Sequence, residues 1–248
     1  MPRLLATAAN TRQPEVKGWV APSPRDSTLI EELHRLEHEI PWWKSAILRA
    51  AGTFSDAQRQ AAAGGDMYFL CGKQAALPEF CDPKLGGLDD RYYVRYQLTV
   101  LHCWICHVRL RQEPKAAYEL LFKEMMEKVW AQTELDLSGK FDMGFLQISK
   151  YLKEMQFGWH GTARALDAAL ESNAQEDEIR AELQSVLQRN MYTDAEGDAL
   201  PGAEAGAAWL TEYVLTQINK HRNAESADVL NGIVQWGGMP VVEEAKAS

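Results

Sequence analysis

Apolar residues recur at intervals of three and four positions through most of the chain, and this spacing predicts helices with one apolar face. The most apolar segment runs from about Arg91 to Gln112 and carries Leu98, Leu101 and Ile105 on one face, with more apolar residues beside them. It is therefore predicted to be the central helix of the core. No run alternates apolar and polar residues over the length of a strand, so the pattern predicts an all-α fold.

Further helices are predicted on both sides of this segment from the same periodicity. Their apolar faces are carried by Leu29, Leu33, Leu36 and Ile40; by Tyr118, Leu121, Phe122, Met125 and Val129; by Phe145, Ile148, Leu152, Met155 and Trp159; by Ile179, Leu183, Val186 and Leu187; and by Trp209, Leu210, Tyr213, Val214 and Ile218. The chain shows no internal repeat and no glycine pattern typical of a dinucleotide or phosphate loop.

The region between residues 42 and 75 is predicted to be broken into short pieces. A helix is predicted from about residue 42 to 51, ending at Gly52. Ser55 and Gln58 then have the spacing of a helix cap for another short segment. Gly64 and Gly65 are expected to interrupt the chain, because glycine disfavours the interior of a helix.

The organisation along the chain follows from these patterns. Residues 1–26 are polar, contain four prolines and show no apolar periodicity, so they are predicted to form an extended N-terminal arm. An amphipathic helix is predicted over 27–41 and one multi-helix domain over 42–236. Residues 237–248 are expected to be a short C-terminal tail.

Composition and charge narrow the classes of function. Among the 248 residues, 46 % are hydrophobic and 25 % charged, which is typical of a globular protein with a real core. The net charge of −9 disfavours broad binding to nucleic acid, because that mode needs clustered Lys and Arg. No stretch approaches the ~18 apolar residues that span a bilayer. The protein is therefore expected to be at most peripheral to a membrane.

Cysteine usage and the N-terminal composition indicate where in the cell the protein works, namely in a reducing compartment of an organelle. Four cysteines are too few for a disulfide scaffold in a chain of this size, which points to a reducing compartment. The first dozen residues contain Arg3 and Arg12, with no acid before Glu15, a composition typical of organelle targeting.

The sharpest short motif is Cys103-Trp104-Ile105-Cys106-His107, which matches the attachment sequence for a c-type haem. Two other kinds of site are open to the same residues. The two thiols and the imidazole can bind zinc, or the two thiols can form a redox-active pair. However, the motif lies within the most apolar predicted helix, where cysteine commonly serves as a small buried side chain. The motif is therefore expected to be part of the core, with no covalent haem and no stoichiometric zinc.

A second motif, His34-Arg35-Leu36-Glu37-His38, has the spacing of inverted zinc peptidases. It lies among other glutamates, so a solvated charged helix face explains it equally well. The remaining histidines, His102, His160 and His221, have no serine or carboxylate partner at motif spacing. No catalytic, cofactor-binding or metal-binding residue is therefore assigned, and the chain is not expected to be an enzyme.

The central segment closely resembles a known family. Residues 98–113 are similar to the signature helix of the ubiquinol-cytochrome c chaperone family, which reads like LTLLHVWMxxVRMRxE. Upstream, residues 67–71 resemble that family's LYxxC helix. Downstream, similar elements follow in the family's order, at residues 150–152, 166–170, 187–192, 210–218 and 234–236. The resemblance covers about residues 42–236, and it implies that Cys103 and Cys106 are local variation in a core helix.

The resemblance implies a mitochondrial protein on the matrix side of the inner membrane that assists assembly of respiratory complex III. Members of the family associate with a small helical partner, bind newly made cytochrome b and work near the exit of the mitochondrial ribosome. Eight Trp and eight Met offer adaptable apolar contact surface for such binding, although most are expected in the core. No catalytic residue and no cofactor are needed for this role.

An alternative function stays open at this point. The arm over 1–26 and the acidic end near Glu243 and Glu244 are extensions of a kind that wraps neighbours in large assemblies. The chain can therefore also be a permanent accessory subunit of an inner-membrane complex, such as an ATP synthase or a respiratory complex.

Overall fold

A computed structural model describes residues 29–52, 55–172, 174–194 and 196–240. Within these ranges the chain is helical with no β-strand, which confirms the predicted all-α class. The predicted arm over 1–26 lies outside the described residues, as does the tail from 241 onwards. The helices are α1 Leu29–Glu39, α2 Trp42–Ala50, α3 Asp56–Ala75, α4 Tyr92–Leu110, α5 Lys115–Gly139, α6 Phe145–Glu171, α7 Glu176–Met191, α8 Ala203–Arg222 and α9 Ser226–Leu230.

Helix α4 is the central helix of the core, as predicted. Thirteen of its nineteen residues are buried, and helices α3, α5, α6, α7 and α8 pack around it. Trp104 is almost fully buried, and its indole N–H donates a hydrogen bond of 2.8 Å to the Asp167 carboxylate on α6. Such a hydrogen bond removes the cost of burying the polar end of a large apolar side chain.

The break predicted at Gly64 and Gly65 is wrong, because α3 continues through both residues as one helix. The two glycines instead permit close packing. A Cβ atom at Gly64 would lie 2.7 Å from the carbonyl oxygen of Leu121 on α5, and one at Gly65 would lie 3.3 Å from a methyl group of Leu29. The helix-start prediction at Ser55 is confirmed, since its hydroxyl accepts a hydrogen bond from the backbone of Gln58.

This close packing predicts opposite effects for two glycines of α3. Gly64→Ala should lower the free energy of unfolding by roughly 1–3 kcal/mol, because the added methyl group overlaps the backbone of α5. Gly72 has no atom within 4 Å of its ideal Cβ position, so Gly72→Ala should raise stability by up to ~1 kcal/mol through helix propensity. Urea denaturation of both variants checks this; equal effects would contradict the role of Gly64.

The predicted apolar faces of two helices need correction. Leu36 on α1 is exposed, although it was expected on the apolar face. Phe145 is also exposed: it is the first residue of α6, and the buried face of that helix begins at Ile148. Periodicity identified the correct face of α6, but not the point along the helix where the neighbouring helices begin to cover it.

Candidate functional site

The Cys-x-x-Cys-His motif lies inside the core helix, and its cysteines are buried. Cys106 lies 3.6 Å, sulfur to sulfur, from Cys71 on α3. Burial raises the pKa of Cys71 well above its usual value, and the neighbouring thiols of Cys103 and Cys106 raise it further. Since the thiolate is the nucleophile and the metal ligand, these surroundings favour a packed, unreactive thiol at Cys71.

The imidazole of the same motif packs against aromatic rings. The ring of His107 lies edge-on to Phe122, with centroids 4.2 Å apart, and also contacts Tyr118. Burial lowers the pKa of His107 to about 4, and the charge of Arg111 lowers it in the same direction, so the ring is neutral near pH 7. Its contacts are those of a helix-packing side chain.

His102 belongs to a buried hydrogen-bond network that joins α4 to α3 and α8. Its Nδ1 lies 2.7 Å from the carbonyl oxygen of Leu98, which can only accept, so Nδ1 carries the proton. Its Nε2 therefore accepts a hydrogen bond of 2.8 Å from the hydroxyl of Tyr213, which in turn accepts one from Gln74. Burial lowers the pKa of His102 to about 4, so this network holds a neutral ring.

A cavity of about 270 Å³ lies between α4, the end of α8 and the following segment. Arg109 and His221 both line it. Neither Nε of Arg109 nor Nε2 of His221 has a hydrogen-bond partner among the described residues. The apolar residues around it include Met67, Val229, Ile233 and Val234. Water or a small polar group can satisfy the two nitrogens.

The structure describes only part of the second sequence motif, residues 34–38. His38 is exposed on α1, and the side chains of His34 and Glu37 lie outside the described side chains. His160 is exposed on α6, whereas His221 is buried at the end of α8. Across the described parts of the chain, no three His, Cys, Asp or Glu side chains are grouped as a metal site requires.

Exposed apolar side chains form two surfaces that sequence reasoning did not assign. The first, here called the α2 surface, consists of Trp42, Trp43 and Ile47; the first and last are 83 % and 60 % exposed. Helix α2 makes no extensive contact with another described helix, so its neighbours leave these side chains uncovered. The adjacent tryptophans are only a partial signal in the sequence. Two neighbouring positions cannot both lie on a single narrow helix face, but their spacing does not show how much of either side chain the other helices cover.

The second surface lies along α6, where Leu146 and Phe157 are exposed. Monomeric proteins seldom expose large apolar side chains in groups unless a partner covers them. The two surfaces are therefore the best candidates for contact with partners. Among the residues that the structure describes, no helix is long and apolar enough to cross a membrane.

Comparison with protein families decides the membership of this chain. The family described as ubiquinol-cytochrome C chaperone matches residues 85–236, which include α4 and most of the helices around it. The chain belongs to the ubiquinol-cytochrome c chaperone family. The predicted resemblance is thus confirmed over those residues, while the boundary predicted at residue 42 stays a prediction.

The fold agrees with a solved structure. The Cbp3 homolog from Brucella abortus superposes with a TM-score of 0.61 at 20 % sequence identity, over 77 % of this chain and 97 % of that chain. At this identity the likeness concerns the fold. A search of curated proteins finds no match.

Proposed function

We propose that this member of the ubiquinol-cytochrome c chaperone family is a mitochondrial assembly chaperone for respiratory complex III. In this proposal it works on the matrix side of the inner membrane, with a small helical partner, and binds newly made cytochrome b. Membership of the family over residues 85–236 carries the proposal. The role needs no enzymatic step and no cofactor, because binding alone can shield an apolar client until it finds its final contacts.

The α2 surface supports binding of an apolar client. Tryptophan is common among side chains that dominate binding energy, and Trp42 presents nearly its whole side chain to solvent. The ammonium group of Lys44 lies 5.3 Å from the ring centre of Trp43, which places a cation beside the apolar area. An exposed apolar centre with a polar rim is the usual composition of a protein-binding surface.

This assignment predicts that the α2 surface can be removed without loss of fold. The triple change Trp42→Ser, Trp43→Ser and Ile47→Ser should leave the melting temperature nearly unchanged, because these side chains contribute little to the core. It should reduce recovery of newly made cytochrome b about tenfold or more, since one lost hot-spot side chain costs about 2 kcal/mol. The measurement is co-purification of radiolabelled translation products with the tagged protein from isolated mitochondria.

A matched control lies on α5, where Leu135 is also a large exposed apolar side chain. Leu135→Ser should leave recovery of cytochrome b unchanged. Equal losses in the triple variant and the control would overturn the assignment of the α2 surface. That result would not test the chaperone role itself, which the depletion experiment below tests separately.

Depletion separates a chaperone from a permanent subunit. Acute loss of the protein should first deplete cytochrome b and complex III, because a client-specific binder acts on one substrate. The protein should migrate on native gels in a small complex with unassembled cytochrome b. Stoichiometric migration with another mature complex, together with early loss of that complex, would overturn the proposal in favour of a permanent accessory subunit.

A further inference from the structure

One face of α6 combines cations with large apolar side chains. Leu146, Lys150, Lys153, Phe157 and Arg164 follow one another at steps of four, three, four and seven residues, which place them on the same side of a helix. All five are exposed. These residues, here called the α6 outer face, span roughly 27 Å at 1.5 Å per residue. The opposite side of the helix is buried in the core through Ile148, Met155, Trp159 and Leu166.

The three cations of the α6 outer face lack ion-pair partners among the described residues. The lysines of the preceding helix differ: Lys115 lies 3.7 Å from Glu119, and Lys123 lies 3.5 Å from Glu127. The chain as a whole is acidic, with 26 Lys and Arg against 35 Asp and Glu. A locally positive face on an acidic protein orients the molecule, because an anionic surface attracts this face and repels most of the remainder.

The apolar members of the face distinguish between anionic partners. Leu146 is 83 % exposed and Phe157 is 61 % exposed, each within one turn of a lysine. Side chains of this kind enter the boundary between lipid headgroups and acyl chains, while neighbouring Lys and Arg bind anionic headgroups. A nucleic acid would use the cations and can stack on phenylalanine, but it gives a projecting leucine no comparable apolar medium.

We propose that the α6 outer face binds peripherally to a membrane surface rich in anionic phospholipid. The helix lies parallel to that surface, with Leu146 and Phe157 at the headgroup boundary and the three cations among the headgroups. This goes beyond the proposed function, which requires a client surface but no lipid contact. The α6 outer face and the α2 surface share no residue, so variants can test lipid binding and client binding separately.

Vesicle co-sedimentation of the purified full chain tests this proposal. The protein should bind vesicles that contain phosphatidylcholine and cardiolipin, and should not bind vesicles of phosphatidylcholine alone. Binding should weaken as salt rises, because exposed charges are screened. Failure to bind the cardiolipin vesicles at low salt would overturn the proposal. So would equal binding to both kinds of vesicle, since the cations would then have no role.

Charge reversal locates the contact. Lys150→Glu with Lys153→Glu should weaken vesicle binding by more than about tenfold, since each basic residue near an anionic surface contributes about 1 kcal/mol. Lys115→Glu with Lys123→Glu changes the net charge equally on another helix and should retain most of the binding. Equal losses in both pairs would show a general charge effect and contradict the proposal. If the reversal pair does not fold, the glutamine pair at Lys150 and Lys153 replaces it, with the same expected direction.

Two further measurements separate this contact from its alternatives. Leu146→Ser with Phe157→Ser should also reduce vesicle binding, whereas the triple α2 variant should bind vesicles normally. Normal vesicle binding by the triple α2 variant would show that loss of client binding does not cause loss of lipid binding. Tight binding of a structured RNA through the same lysines, with the serine pair unaffected in vesicle binding, would overturn the membrane assignment in favour of nucleic acid.

Discussion

Replacing Leu101 by aspartate is expected to unfold the helical domain. Leu101 is 3 % exposed in the middle of α4, and the helices that pack around α4 leave a carboxylate there without solvent. The change removes a buried leucine, which alone costs roughly 2–5 kcal/mol, and adds an unpaired buried carboxyl group. The total stability of a domain is about 5–15 kcal/mol, so the variant should lose its fold or most of its stability.

Far-ultraviolet circular dichroism with thermal melting measures this effect. Leu135→Asp is the matched control, because the same substitution then falls on an exposed leucine of α5. The control should keep the helical spectrum and nearly the same melting temperature. A native spectrum and an unchanged melting temperature for Leu101→Asp would show that α4 is not the core helix.

The second large effect is expected at a buried ion pair at the end of α4. The Arg109 guanidinium donates a hydrogen bond of 2.6 Å to the Glu113 carboxylate, and the two side chains are 7 % and 3 % exposed. The guanidinium also donates to the carbonyl oxygen of Ala224, which ties α4 to the segment after α8. Arg109→Leu should therefore lower stability by roughly 3–5 kcal/mol, because it leaves a carboxylate buried and unpaired.

A double variant tests that reason. Arg109→Leu with Glu113→Leu should be more stable than Arg109→Leu alone, since it removes the orphaned carboxylate as well. Arg189→Leu, at an exposed arginine on α7 whose ion pair spans 4.0 Å, should cost no more than about 1 kcal/mol. Urea denaturation gives all three free energies of unfolding. If Arg109→Leu lowered the free energy of unfolding no more than Arg189→Leu does, the buried pair would not be important for stability.

The central helix could be predicted from sequence because its composition matches its surroundings. A segment covered by neighbours on several sides needs apolar side chains around most of its circumference, and residues 92–110 have them. The same argument placed Cys103 and Cys106 in the core despite their haem-like spacing. Family membership was also accessible, since the similar elements follow in the family's order along one chain.

The candidate surfaces could not be predicted from periodicity alone. The apolar face of α6 begins in the sequence at Phe145, but the structure leaves Phe145 and Leu146 uncovered. Adjacent Trp42 and Trp43 resemble core residues in composition, yet α2 receives little cover from other helices. A sequence pattern indicates which side of a helix is apolar, and only the placement of neighbouring helices decides how much of that side is buried.

The sequence by itself determined the all-α class, the central helix and the family. Tertiary structure alone decided that α3 continues through Gly64 and Gly65, where missing side chains let α5 and Leu29 approach its backbone. It also decided a link between α1 and α3, where the Asp66 carboxylate accepts a hydrogen bond of 2.7 Å from the backbone N–H of Leu29. These features depend on atoms that are distant along the chain, whereas periodicity and capping spacing record only local preferences.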